Sequence, residues 1–134
     1  MKPGSSLAIS PAVTPEELKA RTADFAKRIA IAVRPLFAKA EARHAAGQLA
    51  RASSSAAANY RAARLGRSHA EFTAKLGIAL EEADEAAFWL EHLTATGLAA
   101  GAEFAALTAE ARELAAIFAA ARRTAQTREA GRRR

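Results

Sequence analysis

The chain has 134 residues, 51% of them apolar and 25% charged, with a formal net charge of +6 and no cysteine. This length suits one domain with a single core, and the missing cysteine excludes a disulfide framework and a cysteine metal site. Its apolar runs fall short of the ~20 residues of a membrane span, and its first residues lack the apolar region of a signal peptide, so we expect a cytoplasmic protein without a membrane segment.

Alanine supplies much of the apolar content, and this strong helix former predicts an all-α domain. Residues 1–13 are rich in Pro, Gly and Ser and are expected to form a disordered N-terminal tail. Thr14 and Glu17 then match a capping box, with Pro15 at the first helical position. The first helix has an apolar stripe of Leu18, Phe25, Ile29, Ala32 and Leu36. Pro35 should end or kink it, so we place the turn between residues 37 and 44.

A second helix is predicted over about residues 45–65, because apolar or small residues recur there at helical spacing. They are Leu49, Ala52, Ala56, Tyr60 and Ala63. The small side chains from Ser53 to Ala58 favour a close approach to another helix. Gly66 ends this helix in a short turn, which predicts an antiparallel hairpin with the third helix.

The third helix, residues 68–93, has the clearest pattern, and Ser68 and Glu71 match a capping box at its start. One stripe is apolar and suits a core: Phe72, Leu76, Ala79, Ala83, Ala86, Leu90 and Leu93. A second stripe is mostly acidic: Glu71, Lys75, Ile78, Glu82, Glu85, Trp89 and His92. The third helix therefore presents one face to a core and one to a basic partner.

Gly97 should end the third helix, and Gly101 lies near the start of a fourth. The fourth stripe consists of Phe104, Leu107, Ala111, Leu114, Phe118 and Ala121. The pattern fades from Thr124, and residues 128–134 are interpreted as a frayed basic C-terminal tail. Four amphipathic helices with short turns predict an up-down-up-down antiparallel four-helix bundle over residues 14–127. The less favoured alternative fuses the first two helices across Pro35.

Charge is distributed unevenly between the second and third helices. Residues 45–67 contain four arginines and no acid, whereas residues 68–95 contain six acids and one lysine. We predict that Arg51 is at least partly buried and paired with Glu82 or Glu85 across the hairpin. The other arginines have two open interpretations, internal salt bridges or a phosphate-binding ridge. The predicted ridge consists of Arg61, Arg64 and Arg67, with Arg132, Arg133 and Arg134 of the tail adding to it.

Several short segments together resemble a known family. They are Gln48-Leu49-x-Arg51, Asn59-Tyr60-Arg61, Arg67-Ser68-x-x-Glu71-Phe72 and Trp89-Leu90. The chain resembles the small four-helix-bundle proteins encoded by intervening sequences in bacterial large-subunit rRNA genes. That family is similar to the accessory protein of diversity-generating retroelements. The resemblance covers about residues 20–125, but Ala62 replaces an acid that is common in the family, and Ser53–Ala58 is smaller and more polar than usual.

The resemblance implies a bundle that often assembles as a ring of five protomers. In the retroelement branch, it implies binding to a reverse transcriptase and RNA. We therefore expect a non-enzymatic oligomeric scaffold, a pentamer, that binds RNA or DNA through basic surfaces, with Trp89 near the subunit interface. The alternative is a protein-interaction module without nucleic-acid binding.

No catalytic constellation is visible in the sequence. It lacks a phosphate-binding glycine loop and a nucleophile with a plausible base. Glu41 and His44 have the Glu-x-x-His spacing of di-iron bundles, but such sites need a second pair. Neither His69 nor His92 has a glutamate three residues before it. We therefore expect no enzymatic activity, no cofactor and no metal site.

Overall fold

The structure, a computed structural model, describes residues 13–132, and for Arg132 only the backbone. These residues form four α-helices: α1 (Pro15–Ala32), α2 (Arg43–Arg64), α3 (His69–Ala95) and α4 (Ala102–Arg132). Two short 3₁₀ segments, Arg34–Ala38 and Ala40–Ala42, connect α1 to α2. Within this part of the chain there is no β-strand, and no helix is long and apolar enough to cross a lipid bilayer. The predicted N-terminal tail, apart from Val13, lies outside the described residues.

Contacts between the helix ends show that neighbouring helices run in opposite directions. Arg64, at the end of α2, pairs with Glu16 at the start of α1. Arg28, near the end of α1, pairs with Glu103 at the start of α4. Helices α1 and α3 each pack against both α2 and α4. The predicted antiparallel four-helix bundle is therefore confirmed.

The first helix begins as its sequence predicts but ends earlier than expected. The Thr14 hydroxyl accepts the Glu17 N–H at 3.0 Å, and the Glu17 carboxylate accepts the Thr14 N–H at 2.9 Å, which completes the capping box. The helix ends at Ala32, three residues before Pro35. The chain then continues in 3₁₀ turns from Arg34, so the connection begins earlier than the predicted turn at residues 37–44.

The start of α3 has only half of the predicted capping box. The Ser68 hydroxyl accepts the Glu71 N–H at 3.0 Å, as expected. The Glu71 carboxylate, however, accepts the N–H of Arg67 at 2.6 Å and not that of Ser68. Glu71 therefore fixes the residue before the cap, which holds the α2–α3 connection against the start of α3.

The core contains the predicted stripes of all four helices. Its largest fully buried side chains include Phe25, Ile29, Leu49, Leu76, Leu90, Leu93, Leu107, Leu114 and Phe118. Tyr60 of α2 reaches across the bundle, and its ring centroid lies 5.5 Å from that of Phe118 on α4. The small residues of α2 are also buried, among them Ala52, Ser53 and Ala56. This absence of bulk allows α2 and α3 to pack closely.

Helix α4 extends further than its apolar pattern suggests. It continues to Arg132, so residues 128–132 are helical where we expected a frayed tail. Ala125 is buried, and its carbonyl oxygen lies 2.7 Å from Nε2 of His69. This contact with the start of α3, together with the helix-forming alanine and arginine residues that follow, supports the extra turns.

Candidate nucleic-acid interface

Antiparallel packing brings three basic segments to one end of the bundle. The end of α2, the start of α3 and the end of α4 lie together there, since His69 contacts Ala125 and Tyr60 contacts Phe118. We call this region the basic end and define it by six arginines: Arg61, Arg64, Arg67, Arg122, Arg123 and Arg128. Among the described side chains, only Arg64 of these six forms an ion pair. A cluster of cations that carboxylates match only in part suits a polyanionic partner.

The predicted ridge of three arginines is only partly continuous. Arg61 is exposed and has no ion pair among residues 13–131. Nη2 of Arg64 lies 3.5 Å from Glu16, so the charge of Arg64 is partly matched by α1. Arg67 does not continue the helical spacing, because α2 ends at Arg64 and the chain turns before Ser68. This correction to the ridge follows from Gly66, as a glycine commonly ends a helix.

The C-terminal arginines lie largely outside the described residues. The structure shows Arg132 only as the last residue of α4, and Arg133 and Arg134 are not described. The contribution of these three arginines to nucleic-acid binding stays a prediction.

The structure brings Arg51, Glu82 and Glu85 together. Nη1 of Arg51 lies 3.2 Å from Glu82 Oε1, and Nη2 lies 2.6 Å from Glu85 Oε2. The hydrogen bond from Arg51, followed by one from Trp89, lowers the pKa of the Glu85 carboxyl. The predicted burial of Arg51 is wrong, because its side chain is 46% exposed. A long arginine stem can follow the helix surface while its guanidinium stays in water.

Trp89 is the centre of an aromatic cluster between α2 and α3, formed by His44, Phe88, Trp89 and His92. Its ring centroid lies 4.8 Å from that of Phe88, 5.5 Å from His44 and 5.6 Å from His92. The indole N–H donates to Glu85 Oε2 at 3.0 Å. Trp89 is half-buried against the core, whereas Phe88 is 53% exposed. Phe88 is therefore more exposed to solvent than Trp89, the residue that we predicted to lie near the subunit interface.

Sequence reasoning missed a close contact between α3 and α4. The guanidinium of Arg122 lies against the backbone of Gly77, and a Cβ atom built on Gly77 would be 3.1 Å from Nε. Nε of Arg122 is buried and has no hydrogen-bond partner. Beside it lies a cleft of about 350 Å³, lined by residues that include Thr73, Arg122 and Gln126. The available signal was Gly77 itself, since a glycine inside a helix often marks a close approach.

Comparison with known families identifies the fold's relatives. Residues 17–120 match the profile of the 23S rRNA-intervening sequence protein family. The chain belongs to this family. One solved structure, a protein of unknown function from the S23 ribosomal protein family of Bacteroides thetaiotaomicron, is 28% identical with a TM-score of 0.75. The match covers 81% of this chain and 97% of that one. The search of curated proteins gives no match.

The sequence analysis also considered a metal site at His44. Among the described residues of this intervening-sequence protein, no further metal ligands are grouped with His44. Within residues 13–131, no three histidine or acidic side chains are grouped to hold a metal ion. The His44 ring instead packs edge-on against Trp89. The geometry of His44 therefore suits packing in the aromatic cluster.

Proposed function

We propose that this protein is a non-enzymatic homo-oligomeric scaffold that binds RNA or DNA through its basic end. The observation that carries the proposal is the grouping of six arginines, of which the described side chains neutralise only Arg64. Guanidinium groups bind phosphate oxygens through paired hydrogen bonds, and contacts of this kind do not depend on base sequence. Binding should therefore be largely sequence-independent and strongly dependent on salt.

The aromatic cluster supports the oligomeric part of the proposal. Phe88 and Ile78 on α3 expose apolar area, at 53% and 38%. A second copy that covers this face would remove that area from water. The family resemblance favours a ring of five copies, and each copy would repeat the basic end. Several weak phosphate contacts would then sum through avidity.

Two narrower statements belong to the same proposal. The resemblance to retroelement accessory proteins suggests that a reverse transcriptase is the protein partner. A cytoplasmic location belongs to the same proposal, because the RNA or DNA that this protein would bind is found in the cytoplasm. A reverse transcriptase gene and a template repeat beside the gene of this protein would support the first statement.

A filter-binding titration with single-stranded RNA and duplex DNA tests nucleic-acid binding. We expect retention at low salt, a steep loss as salt rises, and a marked loss when Arg61, Arg64 and Arg67 are replaced by alanine. Deletion of residues 132–134 measures how much the C-terminal tail contributes to the binding affinity. Absence of retention at low salt would favour the alternative, a protein-interaction module.

Light scattering at micromolar concentration tests the assembly. We expect a mass several times 14.1 kDa, and five times that value if the ring of five forms. A monomer would contradict the oligomeric part while leaving the nucleic-acid part open to the filter assay.

A further inference from the structure

We infer that the cleft between α3 and α4, beside Arg122, binds a phosphate group of the nucleic-acid backbone. The assignment of that phosphate to a nucleic acid rests on the proposed function, whereas the binding site itself is inferred from the structure. No residue of this cleft belongs to the ridge that the sequence predicts. The inference therefore assigns a specific contact, separate from the general charge of the basic end.

Arg122 differs from the other unpaired arginines. Of the arginine side chains that the structure describes, those of Arg34, Arg43, Arg61, Arg67, Arg123 and Arg128 also lack an ion pair, and all six are exposed. Arg122 is half-buried, and no carboxylate among the described residues lies within ion-pair distance of it. Burying a charge without a counter-charge is unfavourable, so a half-buried, unmatched guanidinium indicates an external anion.

Gly77 holds this guanidinium in place. A Cβ atom on Gly77 would lie 3.1 Å from Nε, 3.2 Å from Cζ and 3.4 Å from Nη2 of Arg122. The guanidinium therefore packs against the α3 backbone through Nε, Cζ and Nη2, and Nη1 is the terminal nitrogen farther from Gly77. A fixed guanidinium loses little conformational entropy when it binds a phosphate, which makes this arginine a better ligand than a freely moving one.

The cleft is large enough to hold a phosphate group beside Arg122. Its volume is about 350 Å³, and it opens at the surface near the basic end. Gln126 lies one helical turn after Arg122 and lines the same cleft with an amide that can donate. Glu129, the acid that lines the cleft, is seven residues from Arg122, about 10 Å along α4. Oε1 of Glu129 lies 3.8 Å from Nε2 of His69, so this carboxylate faces the start of α3.

The test compares Arg122→Gln with Arg34→Gln, because both variants remove one charge, and Arg34 is exposed, has no ion pair among the described side chains and lies outside the basic end. We expect Arg122→Gln to weaken single-stranded RNA binding about tenfold and to reduce the salt slope by about one, whereas Arg34→Gln changes affinity much less. Arg122→Gln should melt no lower than the parent, since the described residues give Arg122 no partner to lose. Equal losses in the two variants would overturn the site and leave the proposed function standing.

A second pair of variants tests the position of the guanidinium without changing charge. Gly77→Ala places a methyl group against Arg122, whereas Gly47→Ala on α2 meets no atom within 4 Å. We expect Gly77→Ala to lose RNA affinity and Gly47→Ala to retain it. A Gly77→Ala variant that binds as tightly as the parent would contradict the inference.

Inorganic pyrophosphate provides a readout that does not need nucleic acid. At matched ionic strength against sodium chloride, it should raise the melting temperature of the parent and of Arg34→Gln but not of Arg122→Gln. If this shift occurs and RNA binding is absent, the site binds a free phosphate compound and the proposed function fails. If the shift is absent or equal in all three proteins, the site is overturned whatever RNA does.

Discussion

Nη2 of Arg51 lies 2.6 Å from Oε2 of Glu85, which ties the middle of α2 to the middle of α3. The same oxygen accepts the indole N–H of Trp89. Glu85 therefore joins the inter-helix ion pair to the aromatic cluster. Loss of Arg51 would leave this carboxylate with the indole as its remaining hydrogen-bond donor among the described residues.

We expect Arg51→Ala to reduce the free energy of unfolding by no more than about 1 kcal/mol, because the guanidinium is 46% exposed and water screens the pair. Urea unfolding at neutral pH measures the change. Arg61→Ala, on the same helix but without an ion pair among the described side chains, is the matched control and should change stability less. A loss of about 3 kcal/mol or more would indicate a buried pair.

The contribution of the Arg51–Glu85 pair should depend on pH. The pKa of Glu85 is lowered in the folded protein, so the pair stabilises the fold above the unfolded pKa of glutamate, about 4.3. This stabilisation is lost as the pH falls through the lower, folded pKa. We expect the difference in unfolding free energy between the parent and Arg51→Ala to shrink between neutral pH and pH ~3. A constant difference across this range would show that the lost stability is not electrostatic.

The sequence predicts the bundle well because the responsible signals are local. The Thr14–Glu17 capping box and the apolar stripe of α3 each depend on residues within a few turns of one helix. Even the Arg51 pairing follows from a hairpin of adjacent helices. The exposure of Arg51 does not follow, because a long side chain can leave the helix interface at its edge.

Two features of the candidate site depend on tertiary packing, and the sequence offers only Gly77 as a sign of one of them. The contact between Arg122 and Gly77 joins residues of different helices, and no periodicity within either helix encodes it. The extension of α4 through residues 128–132 follows a contact of Ala125 with His69, which joins residues of different helices. The outward position of Phe88 was detectable, since it lies beside Trp89 and apart from the apolar stripe of α3.

Replacement by alanine should change the stability of the fold in opposite directions at two glycines that have no close neighbours. Gly97 follows the end of α3 with φ +77°, whereas Gly47 lies inside α2, and neither would place a Cβ atom within 4 Å of another group. We expect Gly97→Ala to destabilise the fold by about 1 kcal/mol and Gly47→Ala to stabilise it by about 0.5–1 kcal/mol. Thermal melts of the two variants measure this difference. Equal effects would contradict the backbone argument.

Tyr60 is the single tyrosine, so its ionisation can be followed by ultraviolet absorbance. Burial raises the pKa of its hydroxyl, against a smaller lowering by Arg64. The folded midpoint should therefore lie above that of the chain in denaturant, and Arg64→Ala should raise it further. Because the folded pKa is raised, this group's contribution to stability is full below pH ~10 and falls as the pH rises through the folded pKa. A folded midpoint at or below the denatured one would contradict the buried position.

Exposed apolar area on α3 predicts which substitution weakens assembly. Phe88→Ser removes an aromatic ring that is 53% exposed in the aromatic cluster. The matched control is Leu65→Ser, which removes a 75% exposed side chain at the opposite end of the bundle. We expect light scattering to show dissociation at higher concentration for Phe88→Ser, with the helical content of both variants unchanged. Equal behaviour of the two variants would place the interface elsewhere.

Arg61 and Arg64 should contribute unequally to nucleic-acid binding, although they lie one turn apart on α2. Arg61 is exposed and has no ion pair among the described side chains, whereas Glu16 lies 3.5 Å from Arg64. A guanidinium that is already paired gains less from a phosphate, because it must give up part of its interaction with the carboxylate. We therefore expect Arg61→Ala to weaken RNA binding more than Arg64→Ala and to reduce the salt slope by about one.

Glu16→Gln provides the complementary test of this difference. Removing the carboxylate frees Arg64, so RNA affinity should rise, and it should fall again in the double variant Glu16→Gln with Arg64→Ala. Glu17→Gln is not a suitable control, because Glu17 completes the capping box with Thr14. Glu113→Gln removes one charge from the surface of α4, where Glu113 lies 3.3 Å from Arg21 of α1, and should leave RNA affinity nearly unchanged. A gain in affinity of equal size in Glu16→Gln and Glu113→Gln would show that net charge, and not release of Arg64, controls binding.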